Sequence, residues 1–164
     1  MEPVISKLSE ENNTLKFTLN GANASIANGI RRIILSEIPS VVFRTTPHDK
    51  CLASFQINTS RLNNELIKQR LSCIPIHITD VDFPFQDYQM EVDKKNDGDA
   101  IDFVTTADFK LKNTVTGVYM SKTETDKIFP PNPLTGTHID FVRLRPRISS
   151  EIPGEHLKMT CKLD

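Results

Sequence analysis

Between Asn23 and Pro39 the run NASIANGIRRIILSEIP repeats its aliphatic residues every three or four positions, which predicts an amphipathic helix. On a wheel at 100° per residue, Ile26, Ala27, Ile30, Ile33, Ile34 and Ile38 share an arc of roughly 140°, and Leu35 carries the apolar surface beyond it. A helix packed on one layer needs a stripe of only about 100°, so the excess beside Arg31 and Leu35 predicts a second neighbour, from this chain or another. Arg31 borders that excess, and Arg32 sits on the opposite flank. Asn20 or Asn23 offers an N-cap, and Pro39 cannot continue the helical ladder. Isoleucine is a mediocre helix former, so burial rather than propensity must stabilise this segment.

Upstream, Thr14 to Leu19 alternates and places Leu15, Phe17 and Leu19 on one face, the pattern of a half-buried strand. Met1 to Asn13 is polar around Val4, Ile5 and Leu8 and reads as an edge strand or a loose arm. Downstream, SVVFRTTPHDKCLASFQIN predicts strands at Val41 to Thr46 and Cys51 to Ile57, joined by a turn at Pro47 to Lys50. A second helix is expected from Asn63 or Asn64 to Pro75. Its wheel surrounds Arg70 with Leu66, Ile67, Leu71 and Ile74, so this arginine is either buried and paired or aimed at a partner. From Ile78 onward strand-like runs dominate, at Gln89 to Val92, Asp102 to Leu111, Val118 to Met120, Ile139 to Arg145 and His156 to Leu163. Exposed loops are expected at Asp93 to Asp102 and Ile128 to Thr137, and no internal repeat is visible. The fold class is α+β.

Two stretches carry a resemblance. ANGIRRIILSEIP, preceded by the strand-like LKFTL, closely resembles the first helix of the alpha-like assembly subunits of multisubunit RNA polymerases, a family that includes bacterial alpha, its archaeal counterpart and the third-largest subunit of eukaryotic RNA polymerase II. NTSRLNNELIKQRLSCIPI, Asn58 to Ile76, resembles that family's strand end leading into a short helix closed by Arg-Leu, two residues and Ile-Pro. Both occur in the family's order and separation, so the resemblance covers about residues 14 to 76 and loosens afterwards.

The resemblance implies a dimerisation module of antiparallel sheet and two helices, interrupted by a mostly β insert. Its first half would be residues 1–77 and the insert residues 78–164. The chain stops at Asp164 inside what reads as the insert's last strand, so the resemblance also implies a fragment or truncated product lacking the returning half. The implied function is a non-catalytic assembly subunit of DNA-directed RNA polymerase. It would form a heterodimer with a smaller alpha-like subunit, recruit the large catalytic subunits, and meet DNA only through the complex. Ile30, Arg31, Arg32 and Leu35 become the subunit-interface candidates, arginine being suited by its bidentate fork. Some family members hold zinc or an iron–sulfur centre in the insert; here the insert carries only Cys161, so no metal and no cofactor is expected. The divergent insert points to a large DNA virus as a source.

Composition narrows the alternatives. With 164 residues, 38% hydrophobic and 25% charged, the chain is of ordinary globular type, and a net charge of −1 gives no global attraction to nucleic acid or to an anionic membrane. Cys51, Cys73 and Cys161 form no CxxC pair, no signal segment opens the chain, and no apolar run approaches the roughly 18 residues that span a bilayer. The expected setting is intracellular, in nucleus or cytoplasm, or in a virus factory or virion. His48, Asp49 and Cys51 make no nucleophile site, because positions i and i+3 of an extended chain face opposite ways and no oxyanion-hole motif accompanies them. Asp80 and Asp82 would share a strand face but read as solvated carboxylates. Arg143, Arg145 and Arg147 alternate into a basic ridge opposite Val142 and Leu144, a solvent face or a phosphate or protein contact. That ridge supports the alternative reading, a free-standing α+β adaptor or nucleic-acid-binding module.

Overall fold

The alternating run LKFTL lies in strand β2 (Thr14–Asn20), which pairs antiparallel with β1 (Val4–Glu11) and leads into helix α1 (Ala24–Ser36). These elements come from a computed structural model that describes every residue except Met1, Asn12, Asn13, Thr79, Val81 and Ser150. In the hairpin Ile5 faces Leu19 and Glu10 faces Leu15; between them the register shifts where Lys7 adopts φ 53°, a β-bulge. Asn23 caps α1, its Oδ1 accepting the Ile26 N–H at 2.9 Å. The helix stops before Pro39, where the Glu37 N–H donates to the Ile33 carbonyl. No residue of α1 is buried.

The chain divides at Ser40/Val41 into two compact units. The second unit holds, in chain order, β3 (Ala53–Asn58), α2 (Asn64–Ser72), β4 (Tyr88–Lys95), β5 (Asp102–Thr105), β6 (Lys110–Asn113), α3 (Lys122–Ile128), β7 (Asp140–Leu144) and β8 (His156–Lys162). A four-stranded antiparallel sheet runs β3-β8-β4-β6, and β5 pairs separately with β7. Strand β3 therefore hydrogen-bonds to a strand that lies about a hundred residues later, and α2 buries Ile67 and Leu71 in the same core as Met90, Leu144, Leu157 and Met159. That shared core explains why residues 41–164 form one unit. Phe43, Phe109, Phe129 and Phe141 interlock at its centre with ring centroids 5.4 to 6.2 Å apart, mostly edge to face.

Several elements differ from expectation. The Val41–Thr46 stretch buries Phe43 and Thr45 in alternation, yet it contributes only a single bridge, Phe43 with Leu163. Val118–Met120 is likewise one bridge, Tyr119 with Lys112, too short for a strand between Gly117 and Ser121. The run from Asp102 to Leu111 splits into β5 and β6, because Thr105 and Asp108 close a capping box around a helical turn at Thr106–Asp108. The expected loop from Asp93 begins later, since Asp93 to Lys95 belong to β4. Helix α3 went unforeseen although its capping box is written as Ser121-x-x-Glu124, and both halves of that box form. Within the segment read as repeat-free, Asn113-x-Val-Thr-Gly117 and Asn132-x-Leu-Thr-Gly136 build the same loop twice. In each, the asparagine Oδ1 accepts two backbone N–H groups and a glycine at φ 73° or 67° closes the turn.

Candidate functional site

The first unit exposes what a folded chain normally covers. Leu15, Phe17 and Leu19 share one face of β2 by strand alternation, and Phe17 and Leu19 line a groove of about 330 Å³ against Ala27, Ile30 and Ile34 of α1. Arg31 and Leu35 complete its rim, so three of the four expected interface residues, Ile30, Arg31 and Leu35, meet at one site. Arg32 does not join them. The hairpin leaves most of the helix uncovered: Ile30 is 39% exposed, Ile33 and Ile34 each 54%, and Leu35 74%. Val4, Ile5, Leu8 and Leu15 of the hairpin are also more than half exposed, an unusual density of exposed aliphatic side chains for so small a unit.

Polar groups along this surface bond within α1 itself. Arg31 bends back along its own helix, Nε and Nη2 both donating to Asn28 Oδ1 at 3.1 and 2.9 Å. That contact fixes the guanidinium beside the groove while leaving it without a carboxylate among the described residues. Ser36 Oγ donates to the Arg32 carbonyl, which secures the last turn without engaging the Arg32 side chain. Phe17 and Leu19 were missing from the expected interface residues, although the alternation of LKFTL already placed them on one face.

The other candidates lie in the second unit. Arg70 is exposed rather than buried, and it is pinned by two backbone carbonyls: Nε donates to Phe141 O at 2.7 Å and Nη2 to Asp140 O at 2.9 Å. The arginine ridge splits along β7 and just beyond it. Arg143 is exposed opposite buried Val142 and Leu144, Arg145 pairs with buried Glu155 at 2.7 Å, and Arg147 approaches Asp99 at 3.6 Å. Asp80 and Asp82 occupy a turn rather than a strand, the Asp80 carboxylate accepting the Asp82 N–H at 3.0 Å. Burial pushes the Cys161 thiol up to about 12, which keeps it protonated at neutral pH.

A family model described as the RNA polymerase Rpb3/Rpb11 dimerisation domain matches residues 16–143. Among curated proteins, the chain is 39% identical over 61 residues to DNA-directed RNA polymerases IV and V subunit 3B of Arabidopsis thaliana, covering 37% of this chain and 17% of that protein. It is 39% identical over 67 residues to human DNA-directed RNA polymerases I and III subunit RPAC1, covering 41% and 17%. With DNA-directed RNA polymerase subunit Rpo3 of Pyrococcus furiosus it shares 35% identity over 69 residues, covering 42% and 24%. The match thus spans less than a quarter of each relative's length.

Proposed function

This chain belongs to the RNA polymerase Rpb3/Rpb11 dimerisation-domain family, and on that premise we propose that it is a non-catalytic assembly subunit of a DNA-directed RNA polymerase. It forms a heterodimer with a smaller alpha-like subunit through α1, and the pair recruits the large catalytic subunits; DNA is met only through the complex. Residues 1–77 act as the first half of the dimerisation module and residues 78–164 as its insert. Its place is inside the cell, in the nucleus or cytoplasm where the polymerase works, and a viral source fits the divergent insert.

The observation that carries the reading is the uncovered apolar face of α1 and β2. Phe17, Ile30, Ile33, Ile34 and Leu35 are all exposed there, a contiguous run of aliphatic and aromatic side chains of the kind that a partner covers. Ile30 and Leu35 supply the apolar contact, Arg31 a guanidinium beside the groove for a partner's carboxylate, and Arg32 a second one on the far flank.

Leu35 separates partner contact from folding. It is 74% exposed, so Leu35→Asp leaves the carboxylate hydrated in the free chain and costs its stability less than about 0.5 kcal/mol. On association the same carboxylate is desolvated at a cost of several kcal/mol. Tagged Leu35→Asp is therefore expected to lose co-purification with a co-expressed smaller alpha-like subunit while keeping its circular dichroism spectrum. Ile30→Asp, which lies deeper in the groove, is expected to damage both. Undiminished capture of the partner by Leu35→Asp would remove α1 from the interface and with it the physical basis of the reading.

A further inference from the structure

Arg143 and Arg145, left over from the ridge, converge on a second cleft of about 320 Å³ in the second unit, lined also by Arg61 and Arg70. Four arginines face one small cavity against two carboxylates, Asp140 and Glu155, in a chain whose net charge is −1. The four differ in what they have left to offer. Arg70 spends its fork on the carbonyls of Asp140 and Phe141. Arg145 spends its own on Glu155, which also accepts the Arg145 N–H at 2.8 Å and is itself only 6% exposed. Among the described residues, Arg61 and Arg143 have neither a carboxylate nor a carbonyl partner, and both are exposed.

Apolar side chains also line the cleft. Phe103 stands directly across from Arg143 in the β5–β7 pairing and is 38% exposed, and Leu62 follows Arg61 into the cleft. A ligand that fits has negative charge at two points separated by an aliphatic or aromatic group. Single-stranded nucleic acid, which offers phosphates and a base to stack on Phe103, is the competing occupant that the oligonucleotide probe tests, but a chain of net charge −1 supplies no wider basic field for a polyanionic backbone to follow. An extended peptide in which acidic and apolar residues alternate fits both features. We propose that this cleft docks an acidic, partly apolar extended segment of a partner polypeptide, with Arg61 and Arg143 as its carboxylate clamps and Leu62 and Phe103 as its apolar floor. Arg70 and Arg145 are positioning residues that hold β7 and the rim in place. No residue of α1 lines this cleft, and the proposal stands or falls independently of the heterodimer.

The test uses the whole 164-residue chain and a fluorescein-labelled peptide alternating aspartate and leucine, read by fluorescence anisotropy at low salt. A poly-glutamate peptide and a single-stranded oligonucleotide of equal charge serve as competing probes. The alternating peptide is expected to bind more tightly than either, and Arg61→Glu/Arg143→Glu to weaken it at least about tenfold. Lys110→Glu/Lys162→Glu, an equal charge change outside the cleft, should weaken it less than about twofold. Arg61→Gln/Arg143→Gln, which deletes charge without reversing it, should show an intermediate loss with unchanged melting temperature. Equal losses in the two charge-reversal pairs, tighter binding of the oligonucleotide, or no binding of the peptide at about 1 mM would each overturn the proposal.

Discussion

Replacing Gly154 by alanine tests the polar junction that ties β4, β7 and β8 together. A Cβ built on Gly154 would fall 1.6 Å from the Asn96 carbonyl oxygen, 2.8 Å from its carbon and 3.1 Å from the Arg147 nitrogen. The first value is close to a covalent distance, and every obstructing atom is backbone, so no rotamer change relieves it. Asn96 cannot retreat cheaply. It is 4% exposed, its N–H donates to Glu155 O at 2.9 Å, and its Nδ2 donates to Leu144 O at 3.0 Å and Ala100 O at 2.9 Å. A shift of more than about an ångström breaks two or three of these bonds, each contributing about 1 kcal/mol net and more when a buried group is left unpaired. The expected cost is at least about 3 kcal/mol, or roughly 10 °C in a unit of this size. Gly29, in the middle of α1, supplies the contrast, since a Cβ there meets nothing within 4 Å. Gly29→Ala should stabilise α1 by up to about 1 kcal/mol. Thermal unfolding followed by circular dichroism compares the two, and a Gly154→Ala transition within about 2 °C of wild type would refute the close-approach argument.

Arg70→Ala removes two charge-assisted bonds to the carbonyls of β7 at 2.7 and 2.9 Å, and because the side chain is exposed its cost should be about 1.5 to 2.5 kcal/mol by urea titration. Arg70→Lys keeps the charge but not the fork and should recover about half of that; an Arg70→Ala loss below about 0.5 kcal/mol would show that water replaces the guanidinium without penalty. The Lys158 ammonium, and then the His156 imidazole, hold the Asp93 carboxyl below the usual carboxylate range. Because the folded-state value is depressed, this contribution is present above the unfolded value near about 3.9 and is lost as pH falls through the folded one. Asp93→Asn should therefore cost a few tenths to about 1 kcal/mol at pH 6, the pair being half exposed, and the gap from wild type should close toward pH 2. A gap that is unchanged by acid would mean that the cluster contributes through packing instead.

Local signals settled much of this protein before any tertiary contact was known. The period of the isoleucines, the cap at Asn23 and the stop at Pro39 sufficed for α1, and Asn63 with Pro75 sufficed for α2, because capping and helical periodicity act over a few residues. The width of the apolar arc on α1 likewise announced a face in need of cover, and Ile30 and Leu35 are indeed uncovered. The wheel of α2 marked Arg70 as a buried or half-buried structural arginine held by a carboxylate or backbone carbonyls; it is exposed, and which carbonyls hold it was not legible, because they belong to β7, some seventy residues away. Which runs became strands was equally undecided: the alternation of Phe43 and Thr45 matches that of a strand, but only the number of backbone partners available from a distant strand makes a ladder. The pairing of β3 with β8, and the gathering of Arg61 with Arg143 and Phe103, arose from sheet register and the packing of α2. Periodicity fixes which face of an element is apolar. Only the assembled backbone decides which distant faces meet, because that choice is made by packing and hydrogen bonds between residues far apart in the chain.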